Sequence, residues 1–225
     1  MLHALHGVRG TMQRMPLQNR VTPFGELVAV ASRGLLMGNR GGRLHRDDRS
    51  LGARRWVSRQ WICCVTRFKG RHRAVWGNGY TELFFLDEPT ALAAGHRPCF
   101  ECRRRDAVAF AASWAAARHA SVPPRAAEMD RVLHAERLDG RGKRRHALPI
   151  DRLPDGAMLA IPGEPNSMSA LRGESLLPWR PEGYGDARER PRGILVDVLT
   201  PPSILAVLAR GYRPQWYPSA QAPGV

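Results

Sequence analysis

Cysteine is scarce in this sequence, lysine almost missing and acids in short supply, and each shortage narrows the field. Four cysteines in 225 residues, Cys63, Cys64, Cys99 and Cys102, are too few for a disulfide-built secreted scaffold. Free thiols or metal ligands in a reducing compartment are expected instead. No apolar run reaches the roughly 18 residues of a membrane span. The opening MLHALHGVRGTMQRMPLQNR also lacks the continuous apolar stretch of a secretory signal. The expectation is a cytosolic, cytoplasmic chain with no membrane partner. Neither a phosphate-cradling glycine loop, a dinucleotide fingerprint, a serine elbow nor an internal repeat can be found.

The shortage of acids is the strongest global signal. Against 20 acidic side chains stand 35 basic ones, giving a net charge of +15 and a pI near 11.2. Only Lys69 and Lys143 are lysines. The preference for arginine, alongside abundant Ala, Gly and Pro, follows from a GC-rich coding sequence, but the deficit of acids does not. A field of this sign attracts phosphates, so nucleic acid, DNA above all, is the expected partner.

With 43% hydrophobic residues the chain can bury a substantial core. Residues 1–18 read as a loose basic tail, with Met12 or Met15 as alternative translation starts. Strand-like runs in 24–45 are punctuated by Gly38, Gly41 and Gly42. The stretch RRWVSRQWICCVTRFKGRHRAVW, 54–76, alternates apolar with basic residues and predicts a strand pair turning near Lys69 and Gly70. Its Arg55, Arg59, Arg67, Arg71 and Arg73, with Trp56, Trp61 and Trp76 interleaved, suit phosphate contact and base stacking. The same alternation equally describes a half-buried sheet with a solvated basic face.

Punctuation is clearest in YTELFFLDEPTALAAGHRPCFEC, 80–102. An apolar strand over Leu83–Leu86 leads to Asp87 as N-cap, Pro89 in a first helical turn and Gly95 as a stop. Cys99 and Cys102 then form a C-x-x-C, the spacing that lets two thiolates hold one tetrahedral zinc while turn amides donate to sulfur. A longer helix is predicted from about Arg104 to Arg118, with Val108, Phe110, Ala111 and Trp114 supplying apolar surface.

On these residues, Thr81 to Arg105, the chain resembles the metal-binding domain of the Ada DNA methyl-phosphotriester repair proteins. There a strand, a short alanine-rich helix and a G-x-R-P-C-x-x-C knuckle occur in the same order. The resemblance implies a four-cysteine zinc site, with Cys99 and Cys102 matching the second cysteine pair. It also implies a methyl-accepting thiolate in the first pair. That first pair is where the sequence departs, because Cys63 and Cys64 are adjacent on an apparent strand, with 34 residues between Cys64 and Cys99. Adjacent strand side chains face opposite ways, so one of them, Cys64, is expected to join Cys99 and Cys102 while Cys63 packs inside. The fourth ligand stays open between His96, His72, His45, water and a displaced Cys63. Methyl transfer needs an exposed thiolate, which a strand-embedded Cys64 does not favour, so a zinc-stabilised binding role is the preferred reading.

In MDRVLHAERL, 129–138, helical spacing puts Asp130, His134 and Arg137 on one face, and Asp130, His134 and Glu136 are the candidates for an alternative hydrolase. An exposed, salt-linked helix face explains the same pattern. From Leu148 onward short apolar runs separated by Pro and Gly predict a β-rich unit ending in a helix over about Pro202–Arg210. The expected fold is α+β: a small antiparallel sheet with a zinc knuckle and helix over 19–120, a helix and basic linker over 121–147, and a β-rich region over 148–225 packed against the first. The expected function is zinc-containing nucleic-acid binding, with a role in DNA repair or its regulation suggested by the resemblance, and with Arg67, Lys69, Arg71, Arg73, Arg103, Arg104 and Arg105 as phosphate contacts. The alternatives are the hydrolase and a metal-free protein-interaction module.

Overall fold

The stretch from Tyr80 to Ala117 folds as its punctuation dictates. In the computed structural model, which describes residues 15–71, 74–164 and 167–221, the strand covers Leu83–Phe85 and a short helix follows at Glu88–Ala93. Asp87 caps that helix, its Oδ1 accepting from the Thr90 amide at 3.0 Å and the Thr90 hydroxyl at 2.7 Å. Gly95 ends it at φ +87°, and a Cβ there would lie 2.5 Å from Arg137 Cδ, so the turn has room for glycine only. The second helix runs over Arg104–Ala117, close to the predicted span. Met12, His72, Arg73 and the basic tail up to residue 14 lie outside the described residues.

The first sheet contains β1 (Arg20–Val21), β2 (Leu27–Val28), β3 (Leu36–Asn39), β4 (Ile62–Val65), β5 (Leu83–Phe85) and β6 (Arg97–Pro98), in the order β2-β1-β5-β3-β4-β6. Pairing is antiparallel except between β1 and β5 and between β4 and β6. The expected strand pair within 54–76 is not what the chain builds. β4 pairs with β3, Cys64 opposite Met37 and Cys63 opposite Gly38, and on its other edge with β6. Phe68–Arg71 does turn, with the Arg71 amide donating to the Phe68 carbonyl, but residues 74–82 beyond it form loop rather than a returning strand. Alternation marks a strand with two different faces; it carries no information about which strand lies alongside.

Among the described residues four helices, α1 (Glu88–Ala93), α2 (Arg104–Ala117), α3 (Ala126–Arg137) and α4 (Pro202–Ala209), join the first sheet to the second. A small hairpin of β7 (Leu138–Asp139) and β8 (Gly142–Lys143) follows α3. The second sheet is antiparallel: β9 (His146–Pro149), β10 (Met158–Ala160), β11 (Ser169–Arg172), β12 (Ser175–Arg180), β13 (Gly183–Tyr184), β14 (Arg188–Glu189) and β15 (Leu195–Val198), ordered β13-β12-β11-β10-β15-β9 with β14 also on β12. The fold is α+β with a β-rich C-terminal region. Among the described residues no helix is long and apolar enough to cross a membrane.

α1 is buried on every side. Ala91 and Ala94 beside it pack on the first sheet with Val21, Leu83 and Phe85, Leu92 joins Phe110, Met129 and Ile204 of the helical layer, and Ala93 meets Met158 and Trp179 of the second sheet. Small residues allow this approach from three directions. The start of α1 also carries the polar link between the regions. Asp87 Oδ2 accepts from the Tyr184 hydroxyl at 2.8 Å and the Tyr217 amide at 3.2 Å, and Glu88 accepts from the Tyr212 hydroxyl at 2.6 Å and the Gln215 amide at 2.9 Å. Burial raises Asp87 to about 6, against the pull of these donors.

Candidate metal centre

β4 presents its two cysteines to opposite faces, as strand geometry requires. Cys63 is fully buried with Leu36, Leu83 and Phe85, and desolvation raises its thiol pKa far above the ordinary range. Gly38 lies across from it, where a Cβ would fall 2.1 Å from the Ile62 carbonyl, so only glycine lets the strands close at this point. Cys64 emerges half-buried on the other face. The β4–β6 ladder sets Cys63 beside Pro98, and the Cys99 amide donates to the Cys63 carbonyl at 2.9 Å. That register delivers the knuckle to the edge of Cys64.

The sulfurs of Cys64, Cys99 and Cys102 all lie within 4.8 Å of one another. A tetrahedral site with Zn–S near 2.3 Å has an S···S edge of about 3.8 Å, so a small inward rotation of the side chains suffices for one ion. The Glu101 amide reaches Cys99 Sγ at 3.4 Å, the kind of turn donor that supports a bound thiolate. Hydrogen bonds from the Cys102 and Cys64 thiols, together with backbone amides, hold Cys99 well below the usual thiol range. These three sulfurs can hold a metal ion.

The other expected donors among the described residues are placed elsewhere. His96 is buried between Trp61 and Phe85, its Nε2 facing Arg40 Nε at 3.4 Å. Burial, then Arg40 and Arg137, keep it neutral. His45 bonds Thr81 and the Gly77 carbonyl and stacks on Trp76. Cys63 points into the core, and neither its sulfur nor a His96 ring nitrogen joins the cluster of Cys64, Cys99 and Cys102. Among the described residues the cluster is limited to three sulfurs.

The hydrolase candidates also have other employment. Asp130, His134 and Arg137 do share a face of α3, but Asp130 is buried in a bidentate pair with Arg97, at 2.9 Å and 2.8 Å. His134 Nδ1 lies 3.0 Å from Arg137, and burial followed by Arg137 and Arg59 lowers its pKa. Glu136 accepts from the Ser203 amide at 2.9 Å and hydroxyl at 2.6 Å, capping α4. Asp130 and Glu136 are thus engaged by Arg97 and Ser203, and His134 through its Nδ1 by Arg137.

Cys64, Cys99 and Cys102 line a cleft of about 1270 Å³. Its floor is the face of the first sheet carrying Met37, Ile62, Cys64 and Phe84, and the loop 66–71 forms a wall. Arg67, Lys69 and Arg71, expected from the charge pattern as phosphate contacts, line this cleft. Arg71 pairs with Glu101 at 2.7 Å. Arg33 and Tyr80 also line the cleft, and sequence reasoning passed over both. The glycine-flanked WGNGY segment, a turn presenting an aromatic, was the available signal for Tyr80. Arg104 and Arg105 are exposed at the start of α2. Arg103 must be withdrawn from the phosphate contacts: it is buried, bonded to Glu88 at 2.8 Å and Asp106 at 2.9 Å, with Cys63 Sγ at 3.5 Å. The knuckle turn just before α2 points it toward a carboxylate fifteen residues earlier.

Set against known proteins, the chain matches no family model, no curated sequence and no solved structure.

Proposed function

We propose that this chain is a zinc-containing nucleic-acid-binding protein, with DNA as the favoured partner and a place in DNA repair or its regulation. The single observation that carries the reading is the opening of a three-thiol cluster into a cleft whose rim bears cations. Zinc suits the donors because it accepts thiolate sulfur in tetrahedral geometry and needs no redox partner. The likeness of residues 81–105 to the Ada knuckle supports the same assignment and supplies the suggestion of repair.

Bound to the cluster, zinc would tie the knuckle to β4 and keep the sulfurs deprotonated. The residues then divide the work. Cys99 and Cys102 close the turn, Cys64 anchors it to the sheet, and Arg67 and Lys69 offer positive charge to a phosphate backbone. Two measurements test the reading. Metal analysis of purified protein should give one zinc per chain. Oligonucleotide affinity should fall linearly on a log–log salt plot, with a slope of about −0.7 to −0.9 per phosphate neutralised. A protein purified without metal that stays metal-free on zinc titration, or a flat salt response, sinks it.

A further inference from the structure

Among the described residues, Arg33, Arg67 and Lys69 line the cleft without an acidic side chain in ion-pair contact, whereas Arg71 and Arg97 beside them are paired with Glu101 and Asp130. Three cations are therefore left to a ligand. The cleft also carries aromatic surface. Tyr80 is 49% exposed on its rim, Phe84 lies in the floor, and Phe68 has Lys69 Nζ 5.3 Å and Arg71 Cζ 5.5 Å from its ring centroid. Unpaired cations alone would suit any phosphate. Cations beside an exposed ring suit a phosphate that brings a flat base with it.

Size decides the form of that ligand. At about 1270 Å³ the cleft exceeds the roughly 300–1,000 Å³ of common small-molecule sites, but it is bounded by the sheet below, the 66–71 loop and the knuckle. A duplex keeps its bases stacked and paired inside a wide rod, and would touch such a rim only through phosphates. An unpaired strand can turn its bases into the space.

We propose that the cleft binds an unpaired stretch of nucleic acid, a few nucleotides long, with backbone phosphates on Arg33, Arg67 and Lys69 and a base stacked on Tyr80. This rests on the nucleic-acid reading above and sharpens it to a strand state and a named surface. Cys64, Cys99 and Cys102 line the same cleft, so the bound strand would pass beside the sulfur cluster.

The test uses the full-length zinc-loaded protein and fluorescence anisotropy with a fluorescein-labelled dT12, the same strand in a dT12·dA12 duplex, and unlabelled dTMP and inorganic phosphate as competitors. The single strand should bind at least about tenfold more tightly than the duplex. Tyr80→Ala should weaken single-strand binding by about fivefold to a hundredfold, the range for loss of one stacked base, while Tyr80→Phe keeps it. Because Tyr80 is half exposed, both variants should melt with the parent, which separates lost stacking from lost fold. Equal or tighter duplex binding, or an unchanged Tyr80→Ala, would overturn the cleft proposal while leaving nucleic-acid binding intact. Competition by dTMP or phosphate at the dT12 dissociation constant would replace the strand by a free small anion and overturn it too. No binding of either oligonucleotide would overturn both this inference and the function on which it rests.

Discussion

Arginines in this protein fall into two populations, and their difference explains what the net charge means. Arg40, Arg97 and Arg137 are among the largest fully buried side chains of the molecule. Arg97 is matched by Asp130 and the equally hidden Arg103 by Glu88, but Arg40 and Arg137 have carbonyls and an indole instead: their guanidinium carbons lie 4.0 Å and 3.8 Å from the Trp61 ring centroid. Arg40 donates to the Gly25 carbonyl at 2.7 Å and Arg137 to the Gly95 carbonyl at 2.9 Å. Arg33, Arg67 and Lys69, by contrast, meet no acid among the described residues and stand at the cleft. A count of charges treats both populations alike. The buried one is engaged by carbonyls and carboxylates of the fold itself, and only the exposed one is open to an outside anion.

The largest expected effect is at the sulfur cluster beside the exposed population. Cys99→Ser or Cys102→Ser should abolish stoichiometric zinc and destabilise the metal-loaded protein by several kcal/mol, read by metal analysis and urea unfolding. Cys63→Ala should keep the metal; equal loss of zinc would show that the neighbouring cysteine had been chosen wrongly.

Next in size is the buried population. Arg97→Ala leaves the Asp130 carboxylate buried without its partner and should cost about 3–5 kcal/mol, measured by chemical denaturation. Zinc stoichiometry at saturating metal should be retained in the fraction that folds. Replacing an exposed cation such as Arg33 by Ala should change stability by less than about 0.5 kcal/mol. A similar cost at both positions would erase the distinction.

Titration gives a smaller effect with a definite sign. Burial, and then Arg137 and Arg40, push Lys143 down to about 7 from an ordinary 10.5, and its ammonium donates to the Ala93 carbonyl. The folded chain therefore gives up this proton before the unfolded chain does. Between pH 7 and 10.5 the unfolded state holds more protons, so this group makes stability rise with pH across that window. Thermal unfolding at about pH 7, 8 and 9 should follow that slope, and Lys143→Met should flatten it.

The smallest change in stability should accompany the largest change in salt dependence. Arg67→Ala with Lys69→Ala should alter the unfolding midpoint little, while the log–log salt slope for dT12 becomes shallower by about 1.4, two contacts at about 0.7 each. An unchanged slope would place the phosphate contacts elsewhere on the surface.

Legibility in the sequence followed the range of the interactions. The stretch from β5 through α1 to α2 could be read because Asp87, Pro89, Gly95 and Pro98 act on their own backbone or within a turn. The separation of Cys63 from Cys64 could be read from the two-residue strand period. The partner of β4 could not, since it is chosen by β3 and β6 rather than by the alternation of β4 itself. Arg103 was misread for the same reason: three consecutive arginines look alike until the knuckle turn points the first of them toward Glu88. Asp130 and Glu136 looked free because Arg97 and Ser203, which hold them, lie 33 and 67 residues away. The second sheet was legible as short strands, but its order depends on pairings that no local signal specifies.

The two-residue ladder of β4 and β6 has a kinetic meaning as well. Cys99 and Cys102 come together by forming one turn, but Cys64 reaches them only after the chain has travelled through β5 and α1 and returned in register, Ile62 beside Arg97 and Cys63 beside Pro98. An ion caught early would therefore have two protein sulfurs and would gain its third only when the excursion has closed. Metal affinity in a refolding chain should lag behind formation of the turn and keep step with closure of the sheet, so an ion held there would serve as a latch on a long-range connection rather than a seed for a local one.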